Sequence, residues 1–453
     1  MIVMKFGGTS VGSADAMRRT AELIERARRG GPVVVIVSAM SGVTDKLLAM
    51  ADAARTRSED PLALVDVLRL HHEATCRALE LEDIDELLAP IDDMRDVLRG
   101  VALLRELTGR SRDYIVSHGE MLSARIMAAL LTSRGLPARA IDGWDAGIVT
   151  DDCHGAAAVL EETWSRVPTA VTAVAAVVPV VTGFLGGTVS GERTTLGRGG
   201  SDYSAAILGR GLSATEIQIW TDVSGILSAD PRLVKSAVVL PELTFEEAAE
   251  LAYFGAKVIH PKTIEPAVSA GIPVRVLNTF EPDHSGTRIV ASRVPVQGTE
   301  DRAVAAITSK KKNLVLSLES TRMLAAEGWL AAIFDILKAH RISVDTIATS
   351  EVSVCMTTEA RYEAALARAL PELERFARTK IAPGRSILCC VGLGMRERPG
   401  TAGRIFAAVG RTGANVEMIS MGASAINITF VVKDEDADRV LLALHTELVP
   451  KTS

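Results

Sequence analysis

The sequence is poor in aromatic residues and in cysteine. Phe, Trp and Tyr make up 4% of its 453 residues, so alanine, valine and leucine must fill the cores. The five cysteines, Cys76, Cys153, Cys355, Cys389 and Cys390, show no CxxC spacing. This pattern argues against a metal–thiolate site and predicts reduced thiols in a cytoplasmic protein. We therefore expect no metal site built by the protein itself.

Two further absences limit the possible partners. The longest apolar run, residues 170–181, is shorter than the ~18 residues of a membrane span, and residues 1–10 lack the long apolar region of a signal peptide. The sequence has no long basic run and its formal net charge is -6, which argues against nucleic acid as the main partner. We expect neither a membrane nor a nucleic acid partner.

The sequence begins with an alternation that is typical of a parallel sheet. Residues 1–6 and 32–38 predict buried strands, and each is followed by a small-residue loop and a helix. Such β-loop-α units place helices on both faces of a parallel sheet. Residues 62–108 are rich in helix formers and predict a helical insertion. The length of the chain predicts more than one domain.

A glycine-rich stretch at residues 182–206 is the feature that most strongly indicates function. We predict a helix at 156–166 and a buried strand at 170–181 before it, and a helix that begins near Tyr203 after it. A strand, a glycine-rich loop and a helix N-terminus together form a common anion-binding arrangement. The stretch alone therefore predicts a phosphate site beside a carboxylate that an arginine binds.

The last third of the chain contains an internal repeat. Ile333 and Phe334 recur 72 residues later as Ile405 and Phe406, and the segment that ends at Ile347 recurs at the same offset. Each copy predicts a strand-helix-strand-strand-helix unit. Such units bind small molecules or pair through sheet edges, and repetition alone does not separate these two roles.

Five motifs, in one order along the chain, resemble those of the aspartate kinases (aspartokinases) of the amino-acid kinase family. They are Lys5-Phe6-Gly7-Gly8-Thr9-Ser10, Ser117-His118-Gly119-Glu120, residues 194–202, Trp220-Thr221-Asp222 and Phe254-Gly255-Ala256-Lys257. The C-terminal repeat resembles the tandem ACT domains of that family. The resemblance covers essentially the whole chain, and residues 342–354 look most like the lysine-sensitive, monofunctional branch.

The resemblance implies a fold and a reaction. It implies a three-layer α/β/α kinase domain at 1–290 with a mainly parallel sheet, then two ferredoxin-like ACT domains at 300–380 and 385–450. An opening strand near 301–308 could belong to the second ACT fold. The reaction is phosphorylation of the side-chain carboxylate of L-aspartate by ATP. The product, 4-phospho-L-aspartate, leads towards lysine, threonine and methionine. Mg²⁺ enters with ATP and is held mainly by the phosphates. ACT domains imply a homodimer or a dimer of dimers.

The chemistry of this transfer calls for positive charge rather than a general base. The carboxylate acceptor is already ionised at neutral pH, so repulsion between two anions is the main obstacle. The sequence has no GxxxxGK[ST] motif, so it is not a P-loop enzyme. Lys5 and Asp202 are the predicted catalytic residues. The alternatives are a solvated lysine at a strand end and an aspartate that caps a helix.

The remaining site residues follow from the resemblance. Arg198 is predicted to bind the α-carboxylate of aspartate and Glu120 its ammonium, unless Glu120 is a surface carboxylate. The other predicted aspartate-binding residues are Ser38, Thr44 and Ser201. The nucleotide is assigned to Lys5, Gly7, Gly8, Thr9, Ser10, Thr221, Asp222, Arg232 and Lys257. Lys257 could instead compensate a helix dipole.

An effector site is predicted in the first ACT copy. Its residues are Met323, Ser343, Val344, Asp345 and Thr349, and the expected effector is lysine, with threonine or both as alternatives. Asp345 corresponds to Glu417 in the second copy, but the residues that follow differ. One site per chain is therefore the expected number.

Two other functions remain possible at this stage. The chain could be another amino-acid kinase, such as one that acts on glutamate, although the run of residues 197–202 and the ACT pair argue against it. It could also be an amino-acid sensor with an inactive kinase domain. A fused homoserine dehydrogenase is not expected, because too few residues follow Val449 to form one.

Overall fold

A computed structural model describes residues 1–173, 176–254, 259, 261–292, 303–323, 326–395, 398–422 and 426–449. The chain divides into two compact units. The first comprises Met1–Ile226, Pro241–Phe245 and Val258–Arg293. The second comprises Leu227–Leu240, Glu246–Lys257 and Val294–Ser453. The domain boundaries expected from the resemblance, at 290, 300, 380 and 385, stay predictions.

Strands and helices alternate through the first 292 residues. The strands are β1 (Ile2–Phe6), β2 (Val33–Val37), β3 (Ala138–Ile141), β4 (Val149–Thr150), β5 (Val178–Thr182), β6 (Leu185–Thr188), β7 (Arg193–Thr195), β8 (Glu216–Thr221), β9 (Glu242–Thr244), β10 (Val274–Asn278) and β11 (Thr287–Val290). The helices are α1 (Ala14–Gly30), α2 (Val43–Thr56), α3 (Pro61–Ala78), α4 (Ile84–Leu88), α5 (Pro90–Leu104), α6 (Gly109–Ser133), α7 (Thr163–Thr172), α8 (Gly200–Gly211), α9 (Phe245–Tyr253) and α10 (Glu265–Ser269).

A mainly parallel sheet is the centre of the first unit. Its order is β3-β5-β2-β1-β8-β10-β11-β9 among the described residues, and β10 and β11 form its antiparallel pair. Strand β2, sequence VVVIV, is buried along its whole length, as expected for a strand covered on both faces. Helices α1 and α6 pack on one face, and α8 packs on the other with α7 and α10. The predicted three-layer α/β/α architecture is confirmed. Strands β4, β6 and β7 form a small separate sheet.

The helical insertion is confirmed as well. Helices α3, α4 and α5 fill residues 61–104 and pack on α2 and α6. The side chains of Leu88, Ile91, Met94 and Leu98 join the main core with 0% exposure, so the insertion packs on the helices of the main sheet through an apolar face.

Two predicted elements before the glycine-rich stretch are wrong. The apolar run 170–181 is not one strand, because its first residues end helix α7 and only Val178–Thr182 forms β5. The helix predicted at 156–166 begins at Thr163 instead. The preceding residues are extended, since Leu160 donates from its amide to the Val149 carbonyl and Val159 bridges to Thr150.

The second unit contains both copies of the repeat. Its strands are β12 (Ala306–Glu319), β13 (Ile347–Thr349), β14 (Ser353–Glu359), β15 (Arg378–Val391), β16 (Met418–Met421) and β17 (Asn427–Lys433). Its helices are α11 (Trp329–Ala339), α12 (Glu363–Leu373), α13 (Thr401–Arg411) and α14 (Asp434–Leu448). Both copies follow the predicted strand-helix-strand-strand-helix order.

One antiparallel sheet joins the two copies, in the order β13-β14-β12-β15-β17-β16. The long strand β12 is shared between them. Its start, Ala306–Lys310, pairs with Ile387–Val391 of the second copy, while Asn313–Glu319 pairs with β14 of the first. Helix α9 also belongs to this unit, where the Asn427 side chain donates to Glu250 at 2.6 Å.

Among the described helices, none combines the length and the apolar character needed to span a bilayer. The cytoplasmic location stays a prediction.

Candidate active site

The carboxyl end of β1 brings a buried lysine to a helix N-terminus. Lys5 is 8% exposed, and its Nζ lies 2.6 Å from Oδ1 of Asp202. The chain then turns at Gly7, whose amide donates to the Trp220 carbonyl at 3.1 Å. A Cβ on Gly8 would lie 3.0 Å from the Ala39 carbonyl, so glycine allows this close approach. Lys5 is therefore not a solvated lysine at a strand end.

Asp202 lies in the first turn of α8 without capping it. The N-cap is Gly199, at φ 70°, and no side chain caps this helix. Positive φ favours glycine and lets the loop turn directly into the helix. Ser201 packs against Gly183, where a Cβ would come within 2.7 Å of its side chain. The alternative of a capping aspartate is thus wrong.

Glu120 is a buried carboxylate with one oxygen unused. It is 3% exposed, and its Oε1 accepts from the Ala39 amide at 3.1 Å. Its Oε2 is buried and makes no hydrogen bond among the described residues. Burial raises the pKa of Glu120 to about 8, although the Ala39 hydrogen bond opposes the rise. Glu120 is therefore not a surface carboxylate, and its environment suits a cationic partner.

Gly119 explains how helix α6 reaches this position. A Cβ at Gly119 would lie 2.8 Å from the Ala39 Cβ and 3.3 Å from Leu47. Only a residue without a side chain lets α6 approach the loop after β2 so closely. The glycine of the Ser117–Glu120 motif thus sets the position of the carboxylate beside it.

The other predicted aspartate-binding residues come from neighbouring loops of the first unit. Ser38 follows β2 and donates its amide to the Phe6 carbonyl at 3.1 Å, and Thr44 lies half-buried at the start of α2. Arg198 is exposed in the loop between β7 and α8. These residues therefore lie at the carboxyl ends of central strands or in loops that lead to helix starts.

The predicted nucleotide residues divide into three groups. In the first unit, Ser10 is buried with its hydroxyl 2.7 Å from that of Thr279, and Thr9 is exposed. Thr221 ends β8 and Asp222 follows it. The Thr221 carbonyl accepts from the amide of Thr279, the residue after β10, at 2.9 Å. Arg232 belongs to the second unit, where it pairs with Asp230 at 2.6 Å. Lys257 lies outside the described residues.

The predicted effector residues lie in the second unit. Ser343 and Val344 line an open surface cavity of about 450 Å³ with Phe334, Leu337, Lys338, Arg341 and Ile342. Met323 is half-buried after β12, and Thr349 ends β13 exposed.

Asp345 already has partners in this state. Its carboxylate accepts from Lys310 at 2.8 Å and from the Tyr253 hydroxyl at 2.9 Å. In the second copy, Glu417 similarly pairs with Arg385 at 2.9 Å. A ligand ammonium at Asp345 would therefore have to replace an existing donor.

Sequence reasoning missed two residues. Phe184 has φ 68°, which is unusual for an aromatic residue, and its amide donates to the Ser204 hydroxyl at 2.9 Å. Asp113 is 2% exposed and accepts hydrogen bonds from Thr195, 82 residues away. No local pattern signals either feature. No group of three or more His, Cys, Asp or Glu within the described ranges could hold a metal ion.

Known proteins match the chain along nearly its whole length. Residues 1–278 match the amino acid kinase family, and residues 388–448 match the ACT domain. Aspartokinase 1, chloroplastic, of Arabidopsis thaliana is 39% identical over 98% of this chain and 79% of its own. The crystal structure of E. coli aspartokinase III with aspartate and ADP (R-state) matches with a TM-score of 0.82 and 32% identity, covering 99% of this chain and 100% of that one. The same enzyme with lysine and aspartate (T-state) gives 0.80 at 32% identity, with the same coverage.

Proposed function

The chain belongs to the aspartokinases, which are amino acid kinases with ACT domains, and on that premise we propose how its residues carry the reaction. ATP donates its γ-phosphoryl group to the side-chain carboxylate of L-aspartate, and 4-phospho-L-aspartate leaves towards lysine, threonine and methionine. The observation that carries this proposal is the 2.6 Å contact between Lys5 and Asp202 at the N-terminus of α8. It places a buried cation at the N-terminus of a helix, beside two glycine-rich loops.

The protein's task is to hold two anions in line. Lys5 supplies positive charge to the transferred phosphoryl group, and Asp202 orients the Lys5 ammonium. Gly7, Gly8, Thr9 and Ser10 are assigned to the phosphates. Gly7 and Ser10 shape the turn through their bonds to Trp220 and Thr279, and Gly8 and Thr9 lie within that turn. Thr221, Asp222, Arg232 and Lys257 are assigned to the rest of the nucleotide. Mg²⁺ held mainly by the phosphates would neutralise charge, and Asp202 is a carboxylate that could contribute one ligand.

The amino acid is bound by charge at both ends of its backbone. Glu120, with its unpaired Oε2, pairs with the ammonium, and Arg198 binds the α-carboxylate through two parallel hydrogen bonds. Ser38, Thr44 and Ser201 complete the pocket. The complex of the E. coli relative with aspartate and ADP supports the binding of aspartate and an adenine nucleotide.

Trapping of the product by hydroxylamine tests the proposal. Purified protein with ATP, Mg²⁺ and aspartate should give aspartyl hydroxamate, and glutamate in place of aspartate should give far less. Preference for glutamate would indicate a different amino-acid kinase. Absence of hydroxamate from a correctly folded protein would favour the inactive amino-acid sensor.

Feedback inhibition by lysine is the regulatory part of the proposal. The lysine complex of the E. coli relative and the cavity beside Ser343 and Val344 support it. Met323, Asp345 and Thr349 complete the proposed site. Lysine, threonine and both together should be titrated against turnover. Inhibition by threonine without any effect of lysine would contradict the assignment.

The proposed oligomer is a homodimer or a dimer of dimers formed through the ACT copies. The edge strand β16 supports it, because Ile419 is 50% and Met421 61% exposed there. Sedimentation velocity with and without lysine measures the oligomer. A monomer under both conditions would contradict the assignment.

A further inference from the structure

Helix α6 carries a second buried carboxylate besides Glu120. Asp113 lies seven residues earlier, which is nearly two full turns, so both side chains lie on the same side of the helix about 10 Å apart along its axis. Unlike Glu120, Asp113 is fully used by protein donors. Helix α6 therefore carries Glu120, which has one oxygen unpaired among the described residues, and Asp113, whose oxygens both accept hydrogen bonds from the protein.

Asp113 fixes the end of strand β7 through two hydrogen bonds to one residue. The Thr195 amide donates to its Oδ2 at 3.0 Å, and the Thr195 hydroxyl donates to its Oδ1 at 2.8 Å. The same carboxylate accepts from the Gly155 amide at 3.0 Å and lies 3.1 Å from Nδ1 of His154. Hydrogen bonds to a buried charge are among the stronger ones in proteins.

These bonds determine where the chain leaves β7. Thr195 also accepts at its carbonyl from the Ala157 amide at 2.9 Å, and the next amide, of Leu196, donates to the Phe184 carbonyl at 2.9 Å. The chain then turns at Gly197, which has φ 78°. A Cβ added at Gly197 would lie 3.3 Å from Ala156, so this turn favours glycine. Arg198 follows this turn directly, so its starting point is set three residues earlier.

We propose that Asp113 is a positioning residue for substrate specificity. Through Thr195 it fixes the base of the Arg198 loop to the helix that carries Glu120, and it thereby sets the spacing between the groups that bind the α-carboxylate and the α-ammonium of aspartate. This inference rests on the proposed function. Asp113 touches neither substrate, so its loss should act on the binding of aspartate and leave the binding of ATP nearly unchanged.

A double-mutant cycle between Asp113 and Arg198 is the test. Asp113→Ala should raise KM for aspartate about tenfold or more, with kcat and KM for ATP changed less than about threefold. In an Arg198→Ala background, Asp113→Ala should raise KM for aspartate by less than about threefold, because the loop then lacks the guanidinium that Asp113 is proposed to position. Equal increases in both backgrounds would overturn the inference.

Three further variants keep the test decisive if Asp113→Ala folds poorly. Asp113→Asn keeps an acceptor for the Thr195 and Gly155 amides and should recover most of the affinity for aspartate. Thr195→Val removes only the hydroxyl bond and should raise KM for aspartate by a smaller factor than Asp113→Ala.

Glu216→Ala controls for lost stability. Glu216 pairs with Arg275 at 3.0 Å and lies at the opposite end of the strands from the site. An equal rise of KM in Glu216→Ala would overturn the positioning role. Unchanged KM in Arg198→Ala would instead contradict the proposed function.

Discussion

Lys5 is the residue on which the proposed chemistry depends most. It is buried beside the glycine loops, with its ammonium 2.6 Å from the Asp202 carboxylate. We expect Lys5→Ala to lower kcat by about 10²–10³-fold, the usual cost of losing one group that stabilises transition-state charge. The hydroxamate assay under saturating substrates measures this effect.

Arg26→Ala is the control for that substitution. Arg26 is an exposed cation of the first unit whose partner is Asp283, so its loss should leave turnover within about twofold. A Lys5→Ala enzyme as active as Arg26→Ala would remove Lys5 from the mechanism.

The pKa of Glu120 predicts how aspartate binding depends on pH. The carboxyl, with a pKa of about 8, must lose its proton before it can pair with an ammonium. The affinity for aspartate should therefore rise about tenfold per pH unit between pH 6 and 7 and level off above pH 8. Calorimetric titrations at several pH values measure the dissociation constant and the proton released.

Glu120→Gln supplies the control, because it should bind aspartate weakly and with an affinity that is independent of pH.

The same substitution tests how the stability of the protein depends on pH. The folded pKa of Glu120 lies above its ordinary value of 4.5, so the contribution of the protonated form is present below about pH 4.5 and is lost as the pH rises through 8. Wild-type Tm should fall more between pH 6 and 9 than that of Glu120→Gln. Parallel profiles would contradict the assignment of this pKa.

At the scale of single residues, the sequence predicted charged groups better than their surroundings. Lys5, Asp202 and Glu120 stand close to glycines in motifs that are visible in the sequence, and the structure shows each of them buried or half-buried. Their roles stay predictions. The bonds between Asp113 and Thr195, 82 residues apart, depend on the packing of α6 against β7. The positive φ of Phe184 likewise accompanies a bond from its amide to the Ser204 hydroxyl, 20 residues away.

At the scale of elements, the close packing of helix α6 makes a prediction about two glycines. Gly119→Ala should destabilise the protein by about 1–3 kcal/mol, because the new Cβ would overlap Ala39, and it should weaken aspartate binding by displacing Glu120. Gly100→Ala is the matched control within helix α5. Its Cβ would meet nothing within 4 Å, so it should stabilise by about 0.5–1 kcal/mol.

Urea unfolding and KM for aspartate check both variants. If Gly119→Ala were as stable as Gly100→Ala, the approach of α6 to the loop after β2 would not require glycine.

Element prediction succeeded where either periodicity or residue type was decisive. The helices of the insertion have leucines at helical intervals, and β2 is a short run of β-branched residues that favour a strand. Residues 170–181 are almost uniformly apolar, so the sequence holds no period that separates the end of α7 from β5. Residues 156–160 favour a helix locally, but their backbone bonds to β4 hold them extended.

At the scale of the whole molecule, regulation should be separable from catalysis. Asp345 lies in the second unit, and its side chain pairs with Lys310 and Tyr253. Asp345→Ala should leave kcat within about twofold and raise the lysine concentration for half-inhibition at least tenfold, since a buried partner for an ammonium is lost. Inhibition curves at fixed substrate concentrations measure both.

Glu417→Ala is the matched control in the second copy. It removes the carboxylate that pairs with Arg385 and should leave inhibition by lysine unchanged if each chain has one effector site. Equal loss of inhibition in both variants would indicate two sites. An unchanged curve for Asp345→Ala would place the effector elsewhere.

At the level of the whole chain, the types of element in the C-terminal repeat were predictable from the sequence, but the strand pairing between its two copies was not evident from local patterns. The offset of 72 residues revealed the repeat, and both copies have the expected elements. The pairing of β12 with both copies depends on long-range register that no local pattern encodes, so only the resemblance suggested that a strand near 301–308 could belong to the second ACT fold.

The shared strand β12 has a consequence for the synthesis of the protein. On the ribosome, residues 306–310 have no strand to pair with until residues 387–391 have been translated, so the start of β12 stays outside any sheet until then. A premature stop codon within the second copy would yield a truncated chain with a long unpaired strand edge. Such chains tend to aggregate or to be degraded. Strains that escape feedback control should therefore carry point substitutions in this region rather than premature stop codons.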